Sequence, residues 1–234
     1  MYTEDEAKAY TDVCVRYNGD GYLQRWRLAP SSTAHARDIA NTVSKIHHGA
    51  VRTILDLGCG TGALLHDFGL FFPISYRFGI NKFACQLPSN VHRHESEKFI
   101  VGDIEDSATY PDLKMDLITC CYTLGHCDID NVMTAVSGSL ADDGLFYIWG
   151  MAPATREVDS ILGYKLRMPG VVISAAARAG MRMIRCDIYS LHAVSTMKGD
   201  KYILNKAQRK EWDRVATPVA YVFAKNNGNY RSTM

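Results

Sequence analysis

The sequence predicts a doubly wound α/β fold, an open and mostly parallel sheet with helices on both faces, preceded by a helical cap. The first observation lies at residues 51–68, where an apolar run typical of a strand enters a glycine-rich turn and then a helical pattern. Such a unit opens the ligand crevice of doubly wound domains. The second observation is that strand and helix patterns alternate over residues 51–150, which favours parallel strands joined by right-handed crossovers.

Composition narrows the class of protein. The 234 residues, 47% of them hydrophobic, are enough for one domain with a substantial core. A formal net charge of +1 gives no bulk electrostatic case for nucleic-acid binding. The seven cysteines are scattered without a Cys-x-x-Cys pair, which argues for a reducing compartment and against a disulfide framework or zinc site. The acidic start and the lack of an apolar run of ~18 residues predict a soluble, cytoplasmic protein.

Residues 1–50 are predicted to form a helical cap or lid. Within Thr33–His47, apolar residues recur at helical intervals, so that one face can pack on the sheet. The preceding stretch, residues 17–26, is rich in turn residues and contains Tyr17, Tyr22 and Trp26. Two interpretations stay open for it: a loop whose aromatic rings cover the core, or a lid that closes over a ligand.

The glycine-rich turn reads Asp56-Leu57-Gly58-Cys59-Gly60-Thr61-Gly62. Gly58 and Gly60 allow a sharp turn and a close approach of a ligand to the main chain, and Gly62 removes a Cβ where the helix passes the strand. A carboxylate inside an apolar run, as at Asp56, is costly to desolvate without a partner, so a ligand site is favoured over a plain turn. The spacing is neither that of a P-loop nor the six-residue dinucleotide form.

This turn resembles the first motif of class I S-adenosylmethionine-dependent methyltransferases, D-x-G-x-G-x-G, with every fixed position matched. The resemblance implies a Rossmann-like, seven-stranded sheet and S-adenosyl-L-methionine as cofactor, with S-adenosyl-L-homocysteine as product. It further implies that the loop, Cys59 included, receives the methionine half of the cofactor. Asp56 would then manage the ammonium group, directly or through water.

Residues 74–80 are predicted to form the second strand, and Asn81 stands where this family usually has an acidic residue that binds the ribose. The string from Gly79 to Gln86 resembles the G-[IVL]-[TN]-x-x-x-x-Q string of sterol, cyclopropane-fatty-acid and prenyl-diphosphate C-methyltransferases. That resemblance implies that Asn81 and Gln86 touch the ribose side of the cofactor, and Lys82 within the string is a further candidate. An ordinary strand followed by a short helix is the alternative.

The third strand is predicted over residues 98–104. Asp103 followed by Ile104 matches the family position where a carboxylate accepts from the adenine amino group and an apolar neighbour packs on the ring. The alternative is that Asp103 caps a turn. With Tyr17 and Cys121, these residues complete the candidate cofactor-binding set: Asp56, Gly58, Cys59, Gly60, Gly62, Asn81, Lys82, Gln86, Asp103, Ile104, Cys121 and Tyr17.

The fourth strand is predicted over residues 115–121, and residues 122–128 follow at the carboxyl end of the sheet, where open α/β domains hold ligands. His126 in this stretch is a candidate general base, because histidine titrates near neutral pH. A capping or packing role is the alternative. Tyr122, an aromatic face that could stabilise a cation, and Glu157, another possible base, complete the candidate catalytic set.

The later elements complete the predicted sheet. A helix over 129–140, a turn at 142–144 and a fifth strand over 145–150 come first, and a helix over 168–179 precedes strands over 181–190 and 218–224. The domain is therefore predicted over residues 51–225, with a polar tail at 226–234. The basic insert 191–217 is either a solvated helix or a wall of the acceptor pocket facing an anionic substrate.

These features predict a methyltransferase acting on a small molecule, with an alkene carbon of a prenyl or lipid-like acceptor as the specific hypothesis. The acceptor is expected to be anionic or hydrophobic, and a homodimer is possible. No metal and no nucleic acid are expected. The alternatives are O- or N-methylation of a metabolite and a non-catalytic cofactor-binding partner subunit. A nicotinamide-dependent oxidoreductase is disfavoured by the glycine spacing and by the missing acidic residue.

Overall fold

The computed structural model describes residues 30–84, 87, 94–153, 160–161, 164–188 and 216–226. Seven strands form one sheet in the order β3-β2-β1-β4-β5-β9-β8 and two short strands form a separate antiparallel pair, β6-β7. The elements are α1 (Pro30–Ile46), β1 (Thr53–Leu57), α2 (Ala63–Phe71), β2 (Tyr76–Asn81), β3 (Glu97–Val101), β4 (Met115–Cys121), α3 (Ile129–Ser139), β5 (Leu140–Pro153), β6 (Ser160–Ile161), β7 (Tyr164–Lys165), α4 (Pro169–Arg178), β8 (Met181–Ile188) and β9 (Ala216–Lys225).

The order of the strands reverses between β1 and β4. From β1 the chain moves outward through β2 and β3, and it then returns to add β4 and β5 on the other side of β1. All these pairs are parallel, whereas β9 runs antiparallel to both β5 and β8. The predicted seven-stranded, mostly parallel sheet is confirmed, and the carboxyl ends of β1 and β4 form its switch point, where such folds bind ligands.

Helices cover both faces of the sheet. Neighbouring residues of a strand point to opposite faces, so each buried strand contributes apolar side chains to both. Ile54 and Leu117 pack in one cluster with the apolar stripe of α1 and with α2. Leu55 and Ile118 pack in the other cluster with α3 and α4. With α1 and α2 on one face and α3 and α4 on the other, the sheet has the predicted doubly wound arrangement.

Some boundaries differ from the predictions. β5 begins at Leu140, so residues 142–144, predicted as a turn, lie inside an irregular part of the strand where its register with β4 shifts. The irregularity accommodates Gly144, at which a Cβ would lie 2.5 Å from the Met115 carbonyl oxygen. β9 begins at Ala216, so the end of the predicted insert 191–217 belongs to the sheet. β3 ends at Val101, which places Asp103 and Ile104 beyond the strand.

Several predicted features lie outside the described residues. These are the segment before residue 30, the end of the predicted strand at 189–190, residues 191–215 of the insert, the tail beyond residue 226, and the candidate site residues Tyr17, Gln86 and Glu157. Among the helices that are described, none has the length and apolar character needed to cross a membrane.

Candidate functional site

The glycine-rich loop between β1 and α2 is built on three left-handed residues, Gly58, Gly60 and Gly62, with φ values of 71°, 51° and 74°. The loop is held to β2 because the backbone N–H groups of Gly58 and Cys59 both donate to the Ile80 carbonyl, at 2.8 and 3.1 Å. Gly58 and Gly60 have different surroundings. A Cβ at Gly58 would lie 2.7 Å from the Thr123 Cβ, whereas a Cβ at Gly60 would meet nothing within 4 Å. Gly58 therefore serves close packing, and Gly60 faces open space.

Cys59 is buried, and its side chain packs against β2. A Cβ at Gly79 of β2 would lie 2.6 Å from the Cys59 Sγ atom, so the glycine makes room for the thiol. Burial, with a smaller effect of nearby Asp56, raises the pKa of this thiol well above its usual value. The Cys59 thiol is therefore neutral and packed against β2.

Asp56 lies at the switch point, in β1 beside β4. Its side chain is 3% exposed, and the Thr119 hydroxyl donates to its Oδ1 at 2.7 Å. Burial raises the pKa of Asp56 to about 7, and the hydrogen bond from Thr119 opposes that shift. A carboxyl group in this state gains most from a cation that binds beside it, because the cation restores the charged form.

The amino end of α2 follows the loop directly. Gly62 is the N-cap, and no side chain caps the first-turn N–H groups. These groups and the helix dipole favour an anion. The buried Asp56 carboxyl and the uncapped helix end thus suit a ligand that carries an ammonium and a carboxylate on one carbon.

Asn81, at the end of β2, braces the loop. Its side-chain oxygen accepts from the Gly60 N–H at 3.3 Å, and its amide donates to the Phe83 carbonyl at 3.0 Å. Its own carbonyl accepts from the Gly102 N–H at 3.1 Å, which links the ends of β2 and β3. The structure therefore gives this side chain a role in shaping the loop, and its contact with a ribose stays a prediction.

Lys82 and Asp103 form an ion pair at the ends of β2 and β3. The Lys82 Nζ donates to the Asp103 Oδ2 at 2.8 Å, and both side chains are exposed by about 40%. Burial would raise the pKa of Asp103, but hydrogen bonds from Lys82 and from the Glu105 N–H outweigh it and lower that pKa. Ile104 beside the pair is buried. The carboxylate is thus charged and reachable by solvent, as adenine recognition would require.

Tyr122 follows β4 with a φ of 57°, in the left-handed region that side-chain residues avoid. Two hydrogen bonds hold it there. Its N–H donates to the Trp149 carbonyl at 2.7 Å, and its hydroxyl accepts from the Trp149 indole N–H at 2.7 Å. A non-glycine residue kept in this conformation is typical of functional sites. His126 lies close along the chain, exposed at the end of the Leu124–His126 turn.

His35 of α1 belongs to the same region and was missed in the sequence analysis. Its ring packs edge-to-face on Trp149 with centroids 4.5 Å apart, and its Nε2 lies 4.0 Å from the Cys121 Sγ. Burial lowers the pKa of His35 to about 4, so the ring is neutral near pH 7. The helical period could have revealed it, because His35 precedes Ile39 by one turn on the buried face of α1.

The structure thus brings together the glycine loop, Asp56, Asn81 and Cys121 around the ends of β1, β2 and β4. The Lys82–Asp103 pair lies along the ends of β2 and β3. Tyr122 joins Trp149 and His35 near the ends of β4 and β5.

Comparison with known proteins points to one family. Residues 55–148 match the model of a family described as a methyltransferase domain. A stretch of 117 residues is 25% identical to the probable S-adenosylmethionine-dependent methyltransferase CRG1 of Saccharomyces cerevisiae. That alignment covers 47% of this chain and spans 40% of the length of the yeast protein.

Solved structures share the fold at low identity. Geranyl diphosphate C-methyltransferase from Streptomyces coelicolor A3(2) superposes with a TM-score of 0.67 at 12% identity, covering 88% of this chain and 82% of that one. An O-methyltransferase from a trans-AT PKS multienzyme of Brevibacillus brevis, solved with S-adenosyl-L-homocysteine, gives 0.58 at 17% identity, covering 75% and 67%.

The resemblance inferred from the glycine-rich loop is therefore confirmed. The matched family model begins in β1 and ends in β5, so it spans the whole switch point. Residues 55–148 match the methyltransferase-domain family, and the chain shares the fold of solved methyltransferases.

Proposed function

We propose that this protein transfers a methyl group from S-adenosyl-L-methionine to a small-molecule acceptor. The observation that carries the proposal is the loop at the end of β1, which the buried Asp56 precedes, bonded to Thr119, and the uncapped amino end of α2 follows, with open space where Gly60 would carry a Cβ. Asp56 receives the ammonium group and the helix end receives the carboxylate of the methionine half.

The cofactor supplies a methyl group on a positive sulfonium, which leaves as a neutral thioether. The chain's part is then to orient the two reactants in line and to exclude water from the positive centre. Asn81 keeps the loop in shape for this. Lys82, Asp103 and Ile104 bind the nucleoside half, together with Gln86.

For the acceptor we propose an alkene carbon of a prenyl or lipid-like molecule. The support is the fold shared with a geranyl diphosphate C-methyltransferase and the sequence string from Gly79 to Gln86. Attack by an alkene leaves a carbocation, which the aromatic face of Tyr122 would stabilise.

The rival acceptors are an oxygen or nitrogen atom of a metabolite. Product analysis by mass spectrometry and NMR separates the candidates, because C–CH3, O–CH3 and N–CH3 groups differ in chemical shift. A non-catalytic partner subunit would bind the cofactor and form none of these products.

The first test is calorimetric titration with S-adenosyl-L-homocysteine, with NADH as the control. We expect micromolar affinity, ~8 kcal/mol of binding free energy, for the first ligand alone. Folded protein that binds NADH instead, or neither ligand, would contradict the proposal.

His126 is the candidate to remove the proton that an alkene or hydroxyl acceptor must lose. We expect His126→Ala to lower kcat about a hundredfold while leaving the Kd of S-adenosyl-L-homocysteine within twofold, since the ring is exposed and outside the glycine loop. The kcat of His35→Ala serves as the comparison, because the His35 ring is neutral and packs on Trp149. A kcat in His126→Ala equal to that of the unmodified chain would remove His126 from the mechanism.

A further inference from the structure

Three polar side chains converge at the amino end of the sheet, opposite the glycine-rich loop. They are His47, which follows α1, Asp116 near the start of β4, and Asp143 in the early part of β5. One ligand atom from each lies within 4.8 Å of the others. No motif or spacing joins these residues along the chain, so only the fold brings them together.

His47 has an unmatched nitrogen in this cluster. Its side chain is 3% exposed, and its buried Nε2 makes no hydrogen bond within the described part of the chain. Its Nδ1 lies 3.1 Å from the carbonyl oxygen of Gly49 and 3.2 Å from the backbone nitrogen of the same residue, so either tautomer of the ring finds a partner there. In the tautomer whose Nδ1–H donates to that carbonyl, Nε2 presents a lone pair towards the Asp143 carboxylate, whose Oδ2 is 3.9 Å away. In the other tautomer Nδ1 accepts from the Gly49 N–H and Nε2 carries the proton, which a metal ion would have to displace.

The two carboxylates differ in how firmly they are held. The Asp116 Oδ2 accepts from the N–H groups of Arg52 and Thr53, at 2.7 and 3.0 Å, which orients the group. The Asp143 side chain is 68% exposed and free to adjust. The cluster therefore offers an imidazole and a carboxylate that backbone groups hold in place, together with a second carboxylate that can move. Metal ligands in proteins are commonly oriented by such further hydrogen bonds.

We propose that His47 Nε2, Asp116 and Asp143 bind a first-row divalent cation, Zn²⁺ or Mn²⁺, with water completing the coordination. One nitrogen and two carboxylate oxygens suit these ions. Ligand atoms at ~2.1 Å from a common ion lie at most ~4.2 Å apart, so a small movement of Asp143 closes the site. The cation fastens the carboxyl end of α1 to β4 and β5, and thereby the helix that carries His35. This site is separate from the proposed methyl-transfer centre.

The test uses Co²⁺ as a spectroscopic probe on the full chain. We expect one Co²⁺ per chain with weak visible d–d bands and no thiolate-to-metal charge transfer, and we expect Zn²⁺ or Mn²⁺ to displace it. His47→Gln and Asp143→Asn should each weaken binding at least tenfold. The matched control is His48→Gln, since the neighbouring His48 is exposed and outside the cluster.

Asp143→Asn keeps the test decisive if His47→Gln fails to fold, because Asp143 is mostly exposed. Binding unaffected by both variants, or a spectrum with thiolate bands, would overturn the proposal. Absence of binding in the unmodified chain would overturn it as well and would indicate that a proton occupies Nε2. Titration with S-adenosyl-L-homocysteine distinguishes this failure from failure of the methyl-transfer proposal, because that site lies at the opposite end of the sheet.

Discussion

Asp56→Ala is expected to weaken S-adenosyl-L-homocysteine binding at least tenfold, ~1.4 kcal/mol or more. The substitution removes the buried carboxyl beside the proposed position of the ligand's ammonium group and leaves the Thr119 hydroxyl without its acceptor. Calorimetry at pH 8, where most Asp56 carboxyls are charged, measures the effect. Affinity equal to that of the unmodified chain would contradict the role of Asp56.

A matched variant separates binding from folding. Asp67 is also buried, and it accepts a hydrogen bond from a threonine, Thr33, at 3.1 Å. We expect Asp67→Asn to leave the affinity unchanged and Asp56→Asn to reduce it, since both variants keep the side-chain shape. Equal losses in the two variants would indicate general damage to the fold.

The pKa of Asp56 also fixes the direction of two pH effects. Only the charged carboxylate pairs with an ammonium, so affinity should fall as pH decreases below about 7, roughly tenfold per unit. Stability should respond in the opposite sense. Between pH 4 and 7 the folded chain keeps a proton that the unfolded chain has released, so the free energy of unfolding should decrease as pH rises. Asp56→Asn should weaken both dependences, which urea titrations and calorimetry at several pH values would show.

Gly58→Ala is expected to reduce the free energy of unfolding by about 3 kcal/mol and to abolish cofactor binding. The φ of 71° costs an alanine ~1–2 kcal/mol, and its Cβ would overlap Thr123, which adds a packing penalty. Urea unfolding monitored by fluorescence measures the change in stability. A loss no greater than ~1 kcal/mol would mean that Thr123 moves aside without cost.

Two other glycines provide the controls. Gly180, after α4, has a φ of 78°, and the Cβ of an alanine there would meet nothing within 4 Å, so Gly180→Ala isolates the backbone cost. Gly60 is equally open, and Gly60→Ala should lose as little stability as Gly180→Ala. If the open space at Gly60 receives the ligand, only Gly60→Ala of these two should lose affinity for S-adenosyl-L-homocysteine.

The parallel half of the sheet was predictable because its strands are apolar runs with recognisable ends, buried in β1 and β4 and partly exposed in β3. Asp56 and the glycines after it mark the end of β1, and Asp103 follows β3. Boundaries were less accurate where backbone geometry intervenes, as at residues 142–144, where Gly144 permits an irregular strand rather than a turn. Periodicity alone does not distinguish these two conformations.

The candidate site was only partly predictable for a different reason. Local motifs reveal residues that lie in sequence next to their strand ends, but His35 reaches Trp149 from a helix that precedes β1. Likewise, the bracing role of the Asn81 side chain depends on the path of the loop around it. Contacts between distant segments require the tertiary fold, and a single sequence contains no direct record of them.

The position of β9 affects how the protein folds during its synthesis on the ribosome. The strand lies between β5 and β8, although it follows both of them in the chain. Until residues 216–225 have left the ribosome, β5 has an unpaired edge and β8 has no neighbour in the sheet. Apolar edges of this kind attract other chains. The nascent chain therefore cannot complete the sheet until β9 has been synthesised. Chaperones would protect it most before that point.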